Sequence, residues 1–152
     1  MPSVKLLYVE AYAAVDNMEI PSSIDIVGFD HFFLKDPKNS TTYKNELNTL
    51  KSKRSNVTQK IMLIMDAHFI LRFHGSVGIG KRDLEQIAAG YYQLANNDNE
   101  VVGILCYHWP SGFDTRFSDG SRNLPKNVLN EHKRSFWGNK LFLRLSDARS
   151  RQ

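Results

Sequence analysis

Four stretches of this chain are apolar almost without interruption: Val4–Ala11, Ile24–Phe33, Lys60–Phe69 and Glu100–Trp109. A strand with one wet face alternates polar and apolar residues, whereas a strand buried on both faces does not. Between the later runs the apolar residues recur at helical spacing. Thr41–Lys53 carries Tyr43, Leu47 and Leu50, and Lys81–Asn97 carries Leu84, Ile87, Ala88, Tyr91, Leu94 and Ala95. A third helix opens at Leu124-Pro125, with proline near its first position, places Val128, Leu129 and His132 on one face, and ends near Trp137-Gly138-Asn139. The order is strand, short link, strand, helix, strand, helix, strand, helix. That alternation predicts a single α/β domain over 1–152, with parallel strands joined by right-handed crossover helices. The first link is tight: Asp16–Ser23 has room for one helical turn. A segment from about 139 to 152 reads as a basic tail, although Lys140–Leu145 also suits a further strand.

Each strand ends in polar and aromatic residues. These are Glu10-Ala11-Tyr12, Asp30-His31-Phe32, Asp66-Ala67-His68 and Tyr107-His108-Trp109. In a parallel sheet such ends lie on one side, the side where ligands bind in barrels and in open sheets alike. Any one of these residues is explained by a strand reaching solvent; four together point to a site.

The phrases Ile24-Asp25-Ile26-Val27-Gly28-Phe29-Asp30-His31-Phe32 and Val101-Val102-Gly103-Ile104-Leu105-Cys106-Tyr107-His108-Trp109 resemble strand six and the final strand of a glycoside-hydrolase-type (β/α)8 barrel. Lys60–Phe69 falls where strand seven belongs, and Gly90-Tyr91-Tyr92-Gln93-Leu94-Ala95 leads into the last strand as in such barrels. The resemblance covers roughly residues 4–135 and implies the C-terminal, four-stranded half of a barrel acting on or binding carbohydrate. It implies Asp66 as a catalytic or charge-stabilising carboxylate, where many of these families use Glu. The family's acid/base follows strand four and would lie outside this chain, so Glu10 is expected as a second carboxylate or an electrostatic neighbour. Tyr12, Asp30, His31, His68, Tyr107, His108 and Trp109 are expected to contact substrate, with Tyr107 or Trp109 as the stacking platform for a sugar ring. Cleavage of a glycosidic bond needs two carboxyl groups flanking it. Four strands leave two open edges, so a homodimer or a missing N-terminal half is the expected partner. The alternative readings are a truncated, non-catalytic sugar-binding fragment, and a metal-dependent hydrolase using Asp30, His31, Asp66, His68 and His108.

Composition narrows the field. Hydrophobic residues make up 41% and charged residues 24%, as expected of a globular chain, and no apolar run is long enough to span a bilayer. The opening residues enter a strand pattern at once, so no signal peptide is expected. The net charge is +4. Basic residues do not interleave with aromatic ones, so nucleic acid is not the expected partner. The single Cys106 excludes an intrachain disulfide and a cysteine-based metal site, and reads as a core thiol. No cofactor is expected. Gly75–Lys81 matches part of a phosphate-binding loop, but Arg82 follows where Ser or Thr is needed, so a flexible lid is the plainer reading. His74 and His132 read as surface or helix-face residues.

Overall fold

The computed structural model describes residues 4–107 and 117–137. Four strands form one parallel sheet in the order of the sequence: β1 (Leu7–Ala11), β2 (Ile26–Asp30), β3 (Lys60–Asp66) and β5 (Val101–Tyr107). Between β3 and β5 the chain adds the two-residue β4 (Phe69–Ile70), the single turn α2 (Leu71–His74) and α3 (Leu84–Asn96). The remaining elements are α1 (Thr41–Lys53) between β2 and β3, then β6 (Ser118–Asp119) and α4 (Lys126–Trp137) after β5. β4 and β6 pair antiparallel, apart from the main sheet. The tail and the alternative strand at Lys140–Leu145 lie outside the described residues.

The expected order of strands and helices is present, and β1 pairs parallel to β2 despite the short link. One 3-10 helix, Tyr12–Asn17, makes that connection and buries Val15. The strands are shorter than their apolar runs. β3 leaves the sheet at Asp66, and Phe69 belongs to β4.

Local chemistry explains the helices. Ser40 caps α1, its hydroxyl accepting from the Tyr43 N–H at 3.2 Å, and Lys51 and Lys53 sit in the last turn, where the helix dipole favours cations. Tyr43, Leu47 and Leu50 are all buried. In α3 the stripe Leu84, Ile87, Ala88, Tyr91 and Ala95 is buried, with Leu94 at its margin. Pro125 precedes α4, and its carbonyl accepts from the Leu129 N–H at 3.0 Å. Its missing donor costs nothing there.

All three long helices pack on one face of the sheet. Residues from α1, α3 and α4 share a single core cluster with Val27, Phe29, Ile61, Leu63, Met65 and Ile104. The opposite face carries its own smaller cluster of Ile26, Met62 and Ile64, flanked by Leu7, Phe32, Val102, Leu105 and Tyr107. Gly28 lies on that second face. A Cβ there would come within 2.6 Å of the Met62 carbonyl oxygen, so any side chain would force β2 away from β3. The sheet therefore separates a helix-covered side from a second apolar side, and its strands deliver their C-terminal ends to one rim.

Candidate functional site

Asp66 is the last residue of β3, and strand alternation puts it on the same face as Met62 and Ile64. It is 2% exposed. His68 Nδ1 lies 2.9 Å from its Oδ1, and His74 Nε2 lies 3.0 Å from its Oδ2, which also accepts the Phe33 N–H at 3.0 Å. Burial pushes this carboxyl upward, but the two imidazoles outweigh it and hold the group at about 2. The His68 ring lies close to Asp66 Oδ1 without aligning a hydrogen bond to it. Its Nδ1 reaches the Tyr107 carbonyl at 3.3 Å, and Asp66 Oδ1 has no directed hydrogen bond among the described residues.

Two local devices build this cluster. Phe33 holds a φ of 64°, in the left-handed region that non-glycine residues rarely enter. That twist belongs to the turn that points its N–H at Asp66, while its ring stands edge-on to His74 with centroids 4.8 Å apart. The second device is the fold-back through β4 and α2. The Ile70 N–H donates to His74 Nδ1 at 2.9 Å, the Ile70 carbonyl lies 3.2 Å from the same nitrogen, and Nε2 faces Asp66. His74 is fully buried, which corrects its reading as a surface residue. His132 lies on a helix face, as one of its two readings has it, but that face is buried: it is 4% exposed on α4, and neither ring nitrogen has a hydrogen-bond partner among the described residues. Burial holds its pKa down at about 4, against a smaller upward pull from the charges of Asp66 and Glu131. Its signal was in the sequence, since Val128, four residues earlier, is fully buried on the same face.

Register decides which carboxylates meet. Glu10 aligns with Phe29, and its side chain lies beside Tyr8, whose hydroxyl donates to it at 2.8 Å. Tyr8 packs against the helix-side core, so Glu10 shares that face, opposite to the one Asp66 occupies. Two strand spacings, about 10 Å, also separate β1 from β3. The structure therefore does not bring Glu10 and Asp66 together as a pair. The Ala11 N–H and the Tyr8 hydroxyl keep the Glu10 carboxyl below its usual value.

Asp30 is the carboxylate that shares the face of Asp66. It sits at the end of β2, aligned with Ile64, two residues before Asp66 on the neighbouring strand. Strand spacing and rise place the two α-carbons about 8 Å apart. Burial raises the Asp30 pKa, the nearby Glu10 charge raises it further, and His31 opposes both. One carboxyl of this pair is thus pushed up and the other held down.

Aromatic rings enclose the rim. Phe32 stacks on Tyr107 at 5.2 Å between centroids, with planes 19° apart, and stands edge-on to His68 at 5.5 Å. Tyr12, 47% exposed, stacks on His31 at 4.0 Å and 13°. His31 Nδ1 lies 2.6 Å from Glu46 Oε2 on α1. Glu46 and Phe33 are site neighbours that the sequence reading did not single out, and Phe32 entered it only within the strand-end triplet Asp30-His31-Phe32. His108 and Trp109 lie outside the described residues.

The rival readings fare differently. Among the described residues no group of three or more His, Cys, Asp or Glu is placed to hold a metal ion. The glycine segment is no phosphate cradle. The Gly78, Ile79 and Gly80 N–H groups donate to Gly75 O, His74 O and Asp83 Oδ2, and eight residues separate it from the end of β3. Cys106 is partly buried against the core, and burial pushes its thiol up to about 12, which makes it inert. No described helix is long and apolar enough to cross a membrane. Comparison with protein-family models, curated proteins and solved structures finds no match.

Proposed function

We propose that this chain is half of a (β/α)8 barrel whose strand-end rim binds and hydrolyses carbohydrate. The observation that carries the reading is the pair Asp30 and Asp66, on one face of adjacent parallel strands, with pKa values displaced in opposite directions. A displaced pair of this kind marks an acid and an ionised partner. Their α-carbons, about 8 Å apart, leave room for a glycosidic bond between the two carboxyl groups. Asp30 donates its proton to the leaving oxygen as the bond breaks. Asp66 supplies a fixed negative charge beneath the developing oxocarbenium ion, and a water then bonds to the anomeric carbon and returns a proton to Asp30. Phe32 and Tyr107 offer a stacked wall for a sugar ring, His31 is partly exposed beside it and can meet a hydroxyl group, and His68, 1% exposed, acts through Asp66. Glu10 acts as an electrostatic neighbour that keeps Asp30 protonated to higher pH.

The sequential parallel order and the one-sided helices support the half-barrel reading. Doubly wound sheets place helices on both faces. Two copies related by a twofold axis along the barrel would pair β1 of each with β5 of the other and close eight strands. Light scattering on the purified chain is expected to report a dimer; a stable monomer would contradict closure by a second copy.

A second reading, binding without cleavage, is favoured by the enclosure of Asp66, whose oxygens are held by two imidazoles and a backbone amide. Asp30→Asn separates the two. Loss of a general acid is expected to slow hydrolysis of chromogenic glycosides by about 10²–10⁴-fold while sugar binding persists. Wild-type protein that binds sugars but cleaves none would favour the second reading, and protein that binds no sugar would overturn both.

A further inference from the structure

A cavity of about 660 Å³ is bounded by β4, α2 and β6. Its floor and walls are the rings of Phe69, Phe73 and Phe117, and its polar groups are Arg72, Lys81 and Asp119. Phe117 is 70% exposed, an unusual setting for a phenylalanine. The volume lies within the range of small-ligand sites. Two stacked rings, Phe69 and His74, separate this cavity from Asp66. Phe69 stacks on His74 at 5.0 Å, and His74 bonds to Asp66. Phe73 likewise meets Phe33, whose N–H donates to the same carboxylate.

The charges differ in their commitments. Lys81 pairs with Asp119 at 2.6 Å and sits 5.6 Å from the Phe69 ring centre. Arg72 lies 5.7 Å from the Phe73 ring centre and has no carboxylate partner among the described residues. Its guanidinium can take a carboxylate through two parallel hydrogen bonds, and the cavity then offers one uncompensated positive charge above an aromatic floor. A ring with an apolar C–H face and one carboxylate matches both features. The whole chain, at net charge +4, adds a field of the same sign.

We propose that this cavity is a subsite for an acidic sugar, a uronic acid unit of the saccharide that the chain binds. The proposal rests on the carbohydrate reading above and names the class of sugar. It also gives Arg72 a role: it selects the carboxylate, while Phe69, Phe73 and Phe117 carry the ring.

Calorimetric titration with oligogalacturonate and oligoglucuronate, each beside its neutral methyl ester, tests it. The acidic forms are expected to bind about tenfold tighter than their esters, the effect of one charge-assisted contact. Arg72→Ala should abolish that preference and leave the thermal midpoint unchanged, because Arg72 is exposed. Phe73→Ala should weaken acid and ester alike. Equal binding of acid and ester by the wild type, or a preference that survives Arg72→Ala, would overturn the acidic subsite and leave the carbohydrate reading standing. No binding of these or of neutral oligosaccharides would overturn both.

Discussion

Asp66→Ala is expected to cost about 3–5 kcal/mol of folding stability, the loss seen when one partner of a buried charged contact is removed. The substitution strands His74 Nε2 and the Phe33 N–H inside the protein, and it deprives the left-handed Phe33 turn of its anchor. Asp66→Asn should cost less, since an amide oxygen still accepts the Phe33 N–H. Urea denaturation at neutral pH measures both, and a loss under 1 kcal/mol for the alanine variant would show that the cluster does not hold the rim together. The same carboxylate sets an acid limit. Its folded-state pKa of about 2 lies below the ordinary carboxylate value near 3.8, so its contribution is complete above the unfolded pKa and is lost as pH falls through the folded one. Roughly 2–3 kcal/mol should disappear between about pH 4 and pH 2.

His132→Leu is expected to act in the opposite sense. Both ring nitrogens of His132 are buried without partners among the described residues, and an apolar side chain of similar size carries no such desolvation cost. A gain of about 1–3 kcal/mol follows. The pH dependence has a definite sign. Burial lowers the folded-state pKa from 6.5 to about 4, so the unfolded chain takes up the proton first as pH falls. Stability from this group is complete above pH 6.5 and declines by roughly 3 kcal/mol on the way to pH 4. The leucine variant should lose that slope while keeping the fall below pH 4 that belongs to Asp66. Denaturation midpoints at pH 7, 5.5 and 4 would show it, and an unchanged slope would place the acid sensitivity elsewhere.

The strands were legible because residues buried on two faces leave unbroken apolar runs, and α1 and α3 because their stripes repeat at helical spacing. The rim followed from the strands: parallel ends share a side, and so Asp30, Asp66, His68 and Tyr107 fall near one another. The pairing of Glu10 with Asp66 was not legible. An unbroken apolar run does not mark which residues face which side, and the faces of β1 and β3 are fixed only by the register that links Glu10 to Phe29 and Asp30 to Ile64. His74 was hidden for another reason. Its burial depends on the fold-back of Phe69 and Ile70 onto Ser118 and Asp119, a two-residue pairing too short to leave a periodic signal. His132 is the case where the signal existed, in its spacing from Val128, and residue type alone argued against it.

The most direct measurement is an NMR titration of isotope-labelled protein with neutral and acidic oligosaccharides. Sugar binding at the strand ends predicts shifts at Asp30 to Phe33, at Asp66 to His68 and at Tyr107, with little change at the N-terminal ends of the same strands. Shifts confined to those N-terminal ends, or none with any sugar, would contradict the account.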